Sequence, residues 1–225
     1  MSQTYRWGIL GAGRVARDFA QGLHALPNAT VAAVASRTLT TANNFTSEVP
    51  VERVHASYLD LVNDPTIDII YVSTPHHRHV EDCSLCLNHG KAVLCEKPFA
   101  LNAGQARAMI ELARAKKLFL MEAMWMRFIP MIRKVRELLA RGTIGEARML
   151  QADFGYPVAY DPANRFFDPA QGGGALLDRG VYAVSLAYYL FGQPETVSGQ
   201  ATLTPSGVDE QCSIAMTFSD KRQAV

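Results

Sequence analysis

The stretch that decides the fold is Arg6-Trp-Gly-Ile-Leu-Gly-Ala-Gly-Arg-Val-Ala16, close to the start of the 225-residue chain. Its apolar first half predicts a buried strand, and the apolar side chains that follow recur at helical spacing. Between the two, Gly11 permits a tight turn, Gly13 lets backbone N–H groups approach a phosphate, and the small Ala16 allows a helix to pack closely on a sheet. The stretch predicts a nucleotide site, and the alternative is a glycine turn without a ligand.

The first 120 residues alternate short β-branched runs with amphipathic stretches. This rhythm is typical of βαβ units, so we predict an α/β fold with a doubly wound parallel sheet in a first domain over residues 1–122. The predicted strands are Arg6–Leu10, Thr30–Ser36, Arg53–His55, Ile67–Ser73, Lys91–Cys95 and Leu118–Met121.

From residue 123 to residue 225 the pattern changes and predicts a second domain. It comprises a helix at Pro130–Arg141, a half-buried strand at Glu146–Tyr156, a loop at Pro157–Gly174, a helix at Leu176–Leu190 and an open, mostly antiparallel sheet over Thr196–Val225. The last hairpin begins its return strand and stops at Val225, which leads us to expect an incomplete domain.

Composition narrows the possible functions. The 22 Lys and Arg against 21 Asp and Glu leave a net charge of +1, which gives no reason to expect a nucleic-acid or membrane surface. The most apolar stretch, Val181 to Phe191, is too short to span a bilayer, and no secretory signal is visible. Four cysteines are too few for a disulfide framework, so we expect reduced thiols and a cytoplasmic protein, with the Cys83 and Cys86 pair in the core.

The end of the second strand indicates which dinucleotide binds. An enzyme that uses NAD places a carboxylate there, about 20 residues beyond the glycines, to accept hydrogen bonds from the adenosine ribose. Here that place carries Ser36 and Arg37, a hydroxyl and a guanidinium that suit a 2′-phosphate. The sequence therefore favours NADP, with NAD possible, and the alternative is that Arg37 is only a solvated cation.

Four further motifs follow in order. They are Ser73-Thr74-Pro75-His76 with His79, Cys95-Glu96-Lys97-Pro98, Met121-Glu-Ala-Met-Trp125-Met-Arg127-Phe, and Gly172-Gly-Gly-Ala-Leu-Leu-Asp178-Arg-Gly-Val-Tyr182. With the glycine turn, this combination resembles the Gfo/Idh/MocA oxidoreductases. The last two motifs look most like the branch with dimeric dihydrodiol dehydrogenases and NADP-dependent D-xylose dehydrogenases.

The resemblance implies a Rossmann domain followed by an α/β domain with a large open sheet, through which related enzymes oligomerise. It also implies a catalytic lysine at Lys97, Pro75 and His76 beside the nicotinamide, and Glu96 at the nicotinamide ribose. The chain departs from that branch at Arg179, where an apolar residue is usual. We also expect the last strands of that sheet to be missing.

The residues themselves support hydride transfer. Hydride leaves a carbinol carbon only as the hydroxyl proton is removed, so a base with a pKa near the working pH is needed. Lys97 and Tyr182 are the candidates. Asp178, four residues before Tyr182 and so on one helical face with it, is placed to orient a neighbouring hydroxyl. The alternatives are a core aromatic at Tyr182 and a solvated loop cation at Lys97.

The predicted sites include further residues. The cofactor-binding set comprises Gly11, Gly13, Arg14, Val15, Ser36, Arg37, Thr74, Pro75, His76, His79, Glu96 and Lys97. The alternative for His79 is a packing histidine. Trp125 and Phe154 are expected to wall a ring-shaped substrate, although aromatic residues at a domain junction are more often core. No metal is required.

The sequence thus predicts an NADP-dependent oxidoreductase acting on a sugar or a cyclic trans-diol, and a homo-oligomer. A rival is a regulatory or assembly protein that binds the nucleotide but no longer turns over substrate. A pure interaction module, the least supported reading, predicts no cofactor binding.

Overall fold

The computed structural model describes residues 3–225, which form two compact units divided between Ala123 and Met124. The first unit is built on a six-stranded sheet whose strands are all parallel, in the order β3-β2-β1-β4-β5-β6. The strands are β1 (Tyr5–Leu10), β2 (Ala29–Ala35), β3 (Arg53–His55), β4 (Ile69–Val72), β5 (Ala92–Cys95) and β6 (Leu120–Glu122). The doubly wound sheet predicted from the sequence is confirmed.

Helices cover both faces of this sheet. They are α1 (Arg14–His24), α2 (Leu39–Thr46), α3 (Tyr58–Asn63), α4 (His79–Asn88) and α5 (Ala103–Lys116). Successive strand residues alternate between two apolar clusters, as Ile9 and Leu10 do, because neighbouring side chains point to opposite faces of a strand. Cys83 and Cys86 are fully buried in one cluster, so their predicted core placement is confirmed.

The second unit contains α6 (Pro130–Ala140), α7 (Val181–Phe191) and a four-stranded sheet in the order β7-β10-β9-β8. Its strands are β7 (Met149–Leu150), β8 (Thr196–Leu203), β9 (Asp209–Thr217) and β10 (Gln223–Ala224). Two of the pairings are antiparallel, and β10 with β7 is parallel, so the sheet is mixed. The return strand expected after the last turn is present as β10.

Two predictions in this unit were wrong. The strand expected over Glu146–Tyr156 shrinks to Met149–Leu150, because the parallel ladder with β10 extends only to the backbone bond between Ala152 and Val225. The helix expected from Leu176 begins instead as a π-helical turn, Leu176–Gly180, and becomes α-helical at Val181. The loop expected over residues 157–174 includes two short 3₁₀ turns, Arg165–Phe167 and Pro169–Gln171.

Among residues 3–225, no helix is both long enough and apolar enough to cross a bilayer.

Candidate functional site

The turn between β1 and α1 has a backbone that only glycine adopts easily. Gly11 has φ +99°, and its N–H donates to the Ala35 carbonyl oxygen over 2.9 Å. A Cβ at this position would lie 3.1 Å from the backbone of Ser73, whose hydroxyl donates to the Gly11 carbonyl oxygen over 2.9 Å. The turn is therefore pressed against the end of β4, which fixes the direction in which α1 begins.

The N-terminus of α1 is open to an anion. Gly13 is its N-cap, and among the described residues no side chain caps this helix and no acidic residue lies in its first turn. By contrast, α2 is capped by the Thr38 hydroxyl and α3 by the Ser57 hydroxyl. A Cβ at Gly13 would meet no atom of residues 3–225 within 4 Å. Amide donors, the helix dipole and open space together fit the pyrophosphate of a dinucleotide.

The first turn of α1 carries two more residues of the predicted set. Arg14 and Val15 are both exposed there, next to Gly13, whereas Ala16 is fully buried against the sheet. The predicted packing role of Ala16 is confirmed.

The carboxyl end of β2 carries the hydroxyl and the guanidinium on which the predicted choice of dinucleotide depends. Ser36 is buried and Arg37 is exposed, while the hydroxyl of Thr38 accepts the N–H of Thr41 as a helix cap. Arg37 lies near enough to Tyr58 to act on it electrostatically, although burial raises the pKa of the Tyr58 phenol. The strand end thus presents a cation and no carboxylate in the sequence Ser36-Arg37-Thr38.

The loop after β4 is held from inside. The Thr74 hydroxyl donates to Asp82 over 2.7 Å, and the Arg78 guanidinium donates to the other oxygen of that buried carboxylate over 2.7 Å. Pro75 is half-buried and His76 is buried at the start of the following 3₁₀ turn. The Thr74 side chain therefore holds the loop itself in place.

His79 corrects the predicted cofactor set. Its ring is fully buried, with Nδ1 2.8 Å from the Pro98 carbonyl oxygen and Nε2 2.9 Å from the Thr74 carbonyl oxygen. Burial lowers the pKa of His79. Because both ring nitrogens face backbone carbonyls, the packing alternative is favoured over cofactor binding. His79 joins the Thr74 loop to the loop that carries Lys97.

Lys97 follows β5 on a loop that is fastened at several points. The Tyr71 hydroxyl donates to Glu96, the Lys97 N–H donates to the other Glu96 oxygen over 3.1 Å, and the Phe99 N–H donates to Glu122 over 3.0 Å. Burial raises the pKa of Glu96. Lys97 is half-buried at the carboxyl edge of a parallel sheet, where open α/β sheets bind their ligands.

In the second unit, the structure brings three predicted residues together. The Trp125 Nε1–H donates to the Tyr182 hydroxyl oxygen over 3.0 Å, with ring centroids 5.9 Å apart. The Phe154 ring lies 5.6 Å from the Tyr182 ring. Trp125 and Phe154 are 56% and 51% exposed, so the alternative that they are core aromatics is wrong. Tyr182 is half-buried.

Asp178 lies in the π-helical turn and is 5% exposed. The expectation that it shares one α-helical face with Tyr182 is corrected, because the α-helix begins only at Val181. Two arginines flank the carboxylate: Arg165 at 3.6 Å and Arg179 at 3.3 Å. A carboxylate in this place can accept hydrogen bonds from hydroxyl groups.

Arg179, which the sequence marked as unusual, belongs to an aromatic cluster. Its guanidinium donates to the Tyr156 hydroxyl over 2.7 Å and lies over the rings of Tyr156 and Phe154, at 4.8 and 5.2 Å. A cavity of about 870 Å³ opens beside this cluster, between residues 151–158, the start of α7 and β9. Its size is in the range of small-molecule sites. In residues 3–225, no group of three His, Cys, Asp or Glu side chains is placed to hold a metal ion.

Two of these anchoring residues were not among the predicted site residues. Tyr71 belongs to a strand that looks purely structural, and Glu122 lies in a predicted motif without a predicted role. Their partners Glu96 and Phe99 are more than 20 residues away. Only the register of neighbouring parallel strands brings them to the same edge of the sheet.

A glycine turn opening an uncapped helix, at the carboxyl edge of a doubly wound sheet, defines the class of dinucleotide-binding proteins. Comparison with known sequences narrows this class. The pattern of the GFO/IDH/MocA oxidoreductase family, with an NAD-binding Rossmann fold, matches residues 5–124, and that of the GFO/IDH/MocA C-terminal domain matches residues 132–225. The chain belongs to the Gfo/Idh/MocA family, as the sequence motifs predicted.

Individual relatives agree with this assignment. The chain is 42% identical over 224 residues to the trans-1,2-dihydrobenzene-1,2-diol dehydrogenase of Xenopus laevis, covering 98% of this chain and 67% of the relative. It is 40% identical over 217 residues to the human enzyme of the same name, covering 95% of this chain and 64% of the relative. The chain thus spans about two thirds of the length of these relatives.

Solved structures share the fold. A 3-ketoreductase from Actinomadura kijaniata, in complex with TDP-benzene and NADP, superposes with a TM-score of 0.88 at 30% identity, covering 99% of this chain and 69% of that one. A levoglucosan dehydrogenase in complex with NADH superposes with a TM-score of 0.92 at 21% identity, over 99% of this chain and 66% of that one. At that lower identity the likeness concerns the fold alone.

Proposed function

We propose that this protein is an NADP-dependent oxidoreductase that moves a hydride between nicotinamide and a hydroxyl or carbonyl carbon of a sugar or a cyclic trans-diol. The observation that carries the proposal is that Lys97, on a loop fastened through Glu96 and Phe99, follows β5 at the same carboxyl edge of the parallel sheet as the uncapped glycine turn that follows β1. Relatives named as diol dehydrogenases at about 40% identity support the substrate class.

When bound, the dinucleotide would supply the hydride acceptor, held by the α1 N-terminus at Gly11 and Gly13 and bordered by Pro75 and His76. The chain's own residues supply the proton chemistry. Tyr182 takes the hydroxyl proton as hydride leaves the carbon and returns it in the reverse direction, while Lys97 hydrogen-bonds the substrate oxygen. Asp178, which lies beside Arg165 and Arg179, accepts a hydrogen bond from a neighbouring hydroxyl of the substrate.

The catalytic roles are tested by Lys97→Ala and Tyr182→Phe, with Tyr188→Phe, an exposed tyrosine on the same helix, as the matched control. We expect kcat to fall by about 10²-fold or more in both test variants, with little change in cofactor affinity. Turnover within a few-fold of the parent removes the residue from the mechanism. Tight binding of NADP with no turnover of diols or aldoses by the parent itself would favour a regulatory nucleotide-binding protein.

The preference for NADP rests on Ser36 and Arg37. A charge-assisted contact from Arg37 to the 2′-phosphate is worth about 1.5–3 kcal/mol, or roughly 10- to 150-fold in Kd. We expect Arg37→Ala to lose the preference without gaining affinity for NAD, and Ser36→Asp to reverse it, because a carboxylate repels the phosphate and accepts from a free ribose hydroxyl. Calorimetric titration of both cofactors measures this, and equal affinities in the parent would refute it.

The proposal includes two properties of the whole protein. Self-association through the second sheet is expected because every residue of its edge strand β8 is exposed. A cytoplasmic location is expected because the thiols of Cys83, Cys86 and Cys95 are buried and reduced.

A further inference from the structure

The geometry points to Trp125 as a positioning residue that acts through Tyr182: its indole N–H stabilises the phenolate form of Tyr182. The inference rests on the proposed function, in which Tyr182 exchanges a proton with the substrate. It assigns Trp125 a role beyond the apolar wall that the sequence suggested.

The direction of the hydrogen bond is fixed by chemistry. Indole nitrogen is a donor only, so at 3.0 Å the Tyr182 oxygen must accept, and its own hydroxyl hydrogen must point elsewhere than at Trp125. The hydrogen bond to the Tyr182 oxygen is stronger when that oxygen is negatively charged, because hydrogen bonds to charged groups are about twice as strong as neutral ones. The contact therefore favours phenolate over phenol.

The orientation of Trp125 depends on this bond more than on burial. More than half of its surface is exposed, and its nitrogen points at Tyr182 across an edge-on contact of 70° between the ring planes. The other tryptophan of the chain, Trp7, packs edge-on against Phe19 in the first unit. Trp125 thus has the hydrogen bond to be tested, and Trp7 can serve as the control.

The guanidinium of Arg179 favours the same form, because it interacts electrostatically with Tyr182 from the π-helical turn. In that turn Asp178 is flanked by Arg179 and Arg165. From residues 125–128, Arg127 donates to Ser185, one turn along α7. From residues 151–158, Phe154 contacts the ring of Tyr182, and the Arg179 guanidinium lies over Phe154.

The expected effect is measured as a shift in the pH at which Tyr182 ionises. The differential strength of one hydrogen bond to a charged and to a neutral oxygen corresponds to about one pH unit, a change of about tenfold in the phenolate fraction. Trp125→Phe keeps an aromatic ring and removes the N–H. The midpoint of Tyr182 should therefore rise by about one unit in that variant.

The experiment compares the ultraviolet absorbance of tyrosinate in pairs of proteins that differ only by Tyr182→Phe. The first pair is the parent and Tyr182→Phe, the second carries Trp125→Phe in both members, and the third carries Trp7→Phe in both. Each difference titration isolates one of the eight tyrosines. In the Trp7→Phe protein, fluorescence of Trp125 gives an independent midpoint, because a neighbouring tyrosinate quenches it.

We expect the second pair to titrate about one unit above the first, and the third pair to match the first. We also expect the fluorescence midpoint to coincide with that of the first pair, and to vanish when Tyr182→Phe is added. Equal midpoints in the first two pairs would overturn the inference, as would a fluorescence transition that survives Tyr182→Phe. No cofactor or substrate takes part, so these outcomes stand whether or not the protein proves to be a dehydrogenase.

The kinetic counterpart separates this role from a structural one. In Trp125→Phe, the pH profile of kcat should move upward by about the same amount as the absorbance midpoint. A loss of kcat that is uniform with pH would assign Trp125 to the substrate wall alone.

Discussion

The glycine turn permits a sharp test, because its two glycines are needed for different reasons. Gly13 has φ −80° and ψ −178°, a conformation open to any residue, and no atom of residues 3–225 lies within 4 Å of the place a Cβ would take. Gly11 has φ +99° and would place a Cβ 3.1 Å from the Ser73 backbone. The same methyl group therefore has opposite consequences at the two positions.

For Gly13→Ala we expect unfolding stability to change by less than about 1 kcal/mol, with a small gain from the stiffer unfolded chain. Its methyl group occupies the space through which a pyrophosphate would reach the amides of α1. Losing one charge-assisted hydrogen bond there costs about 1.5–3 kcal/mol, or roughly 10- to 150-fold in the Kd for NADP. Gly11→Ala should instead destabilise the fold, by about 1–2 kcal/mol from the left-handed backbone alone, with a further cost from the close contact.

Calorimetric titration with NADP and urea unfolding of the same preparations measure the two effects. Gly22→Ala is the matched control, since it adds the same methyl group to the same helix where it meets no atom of the described chain within 4 Å. It should bind NADP as the parent does. A Gly13→Ala protein that also binds NADP like the parent would refute the placement of the pyrophosphate at this turn.

Two further predictions concern stability and association. Burial would raise the pKa of Asp64, but hydrogen bonds from Thr66 and His55 lower it from 3.8 to about 2. This carboxylate therefore contributes about 2 kcal/mol to the free energy of unfolding above pH 4, and the contribution is lost as the pH falls through 3.8 toward 2. In urea unfolding, the stability of Asp64→Asn should therefore depend less on pH in the acid range than that of the parent. An equal acid dependence in the two proteins would contradict this. The double variant Val197→Lys, Leu203→Lys adds charge to β8 at two side chains that are 61% and 62% exposed, and it should weaken self-association in sedimentation experiments. Identical sedimentation of parent and variant would exclude β8 as the edge through which the protein associates.

The parts of the fold that the sequence predicted well are those with local signals. The turn at Gly11, the stripe that packs α1 on the sheet and the β-branched strands each depend on residues close together in the chain. The strand predicted over Glu146–Tyr156 failed because alternation alone does not show whether a partner strand is present beside each residue. The prediction of an α-helix before Val181 was wrong because the spacing of apolar residues does not distinguish a π-helical turn from an α-helix.

In the site too, local motifs were predicted and contacts between distant residues were not. Lys97 and Tyr182 came from motifs, but the contacts that orient them join distant residues: Tyr71 with Glu96, 25 positions apart, and Trp125 with Tyr182, 57 positions apart. His79 was ambiguous in the sequence, because a packing histidine and a ligand-binding histidine are the same residue type. Only the two carbonyl oxygens at its ring nitrogens separate the alternatives.

The central claim is that hydride passes directly between substrate and nicotinamide. The most direct measurement uses a cyclic trans-diol or an aldose carrying deuterium at the carbon to be oxidised, incubated with the protein and NADP. Mass spectrometry of the reduced cofactor should show one deuterium at the nicotinamide ring with the parent, and none with Lys97→Ala over the same time. Reduced cofactor without deuterium, or no reduction across a panel of such substrates despite tight binding of NADP, would contradict the account.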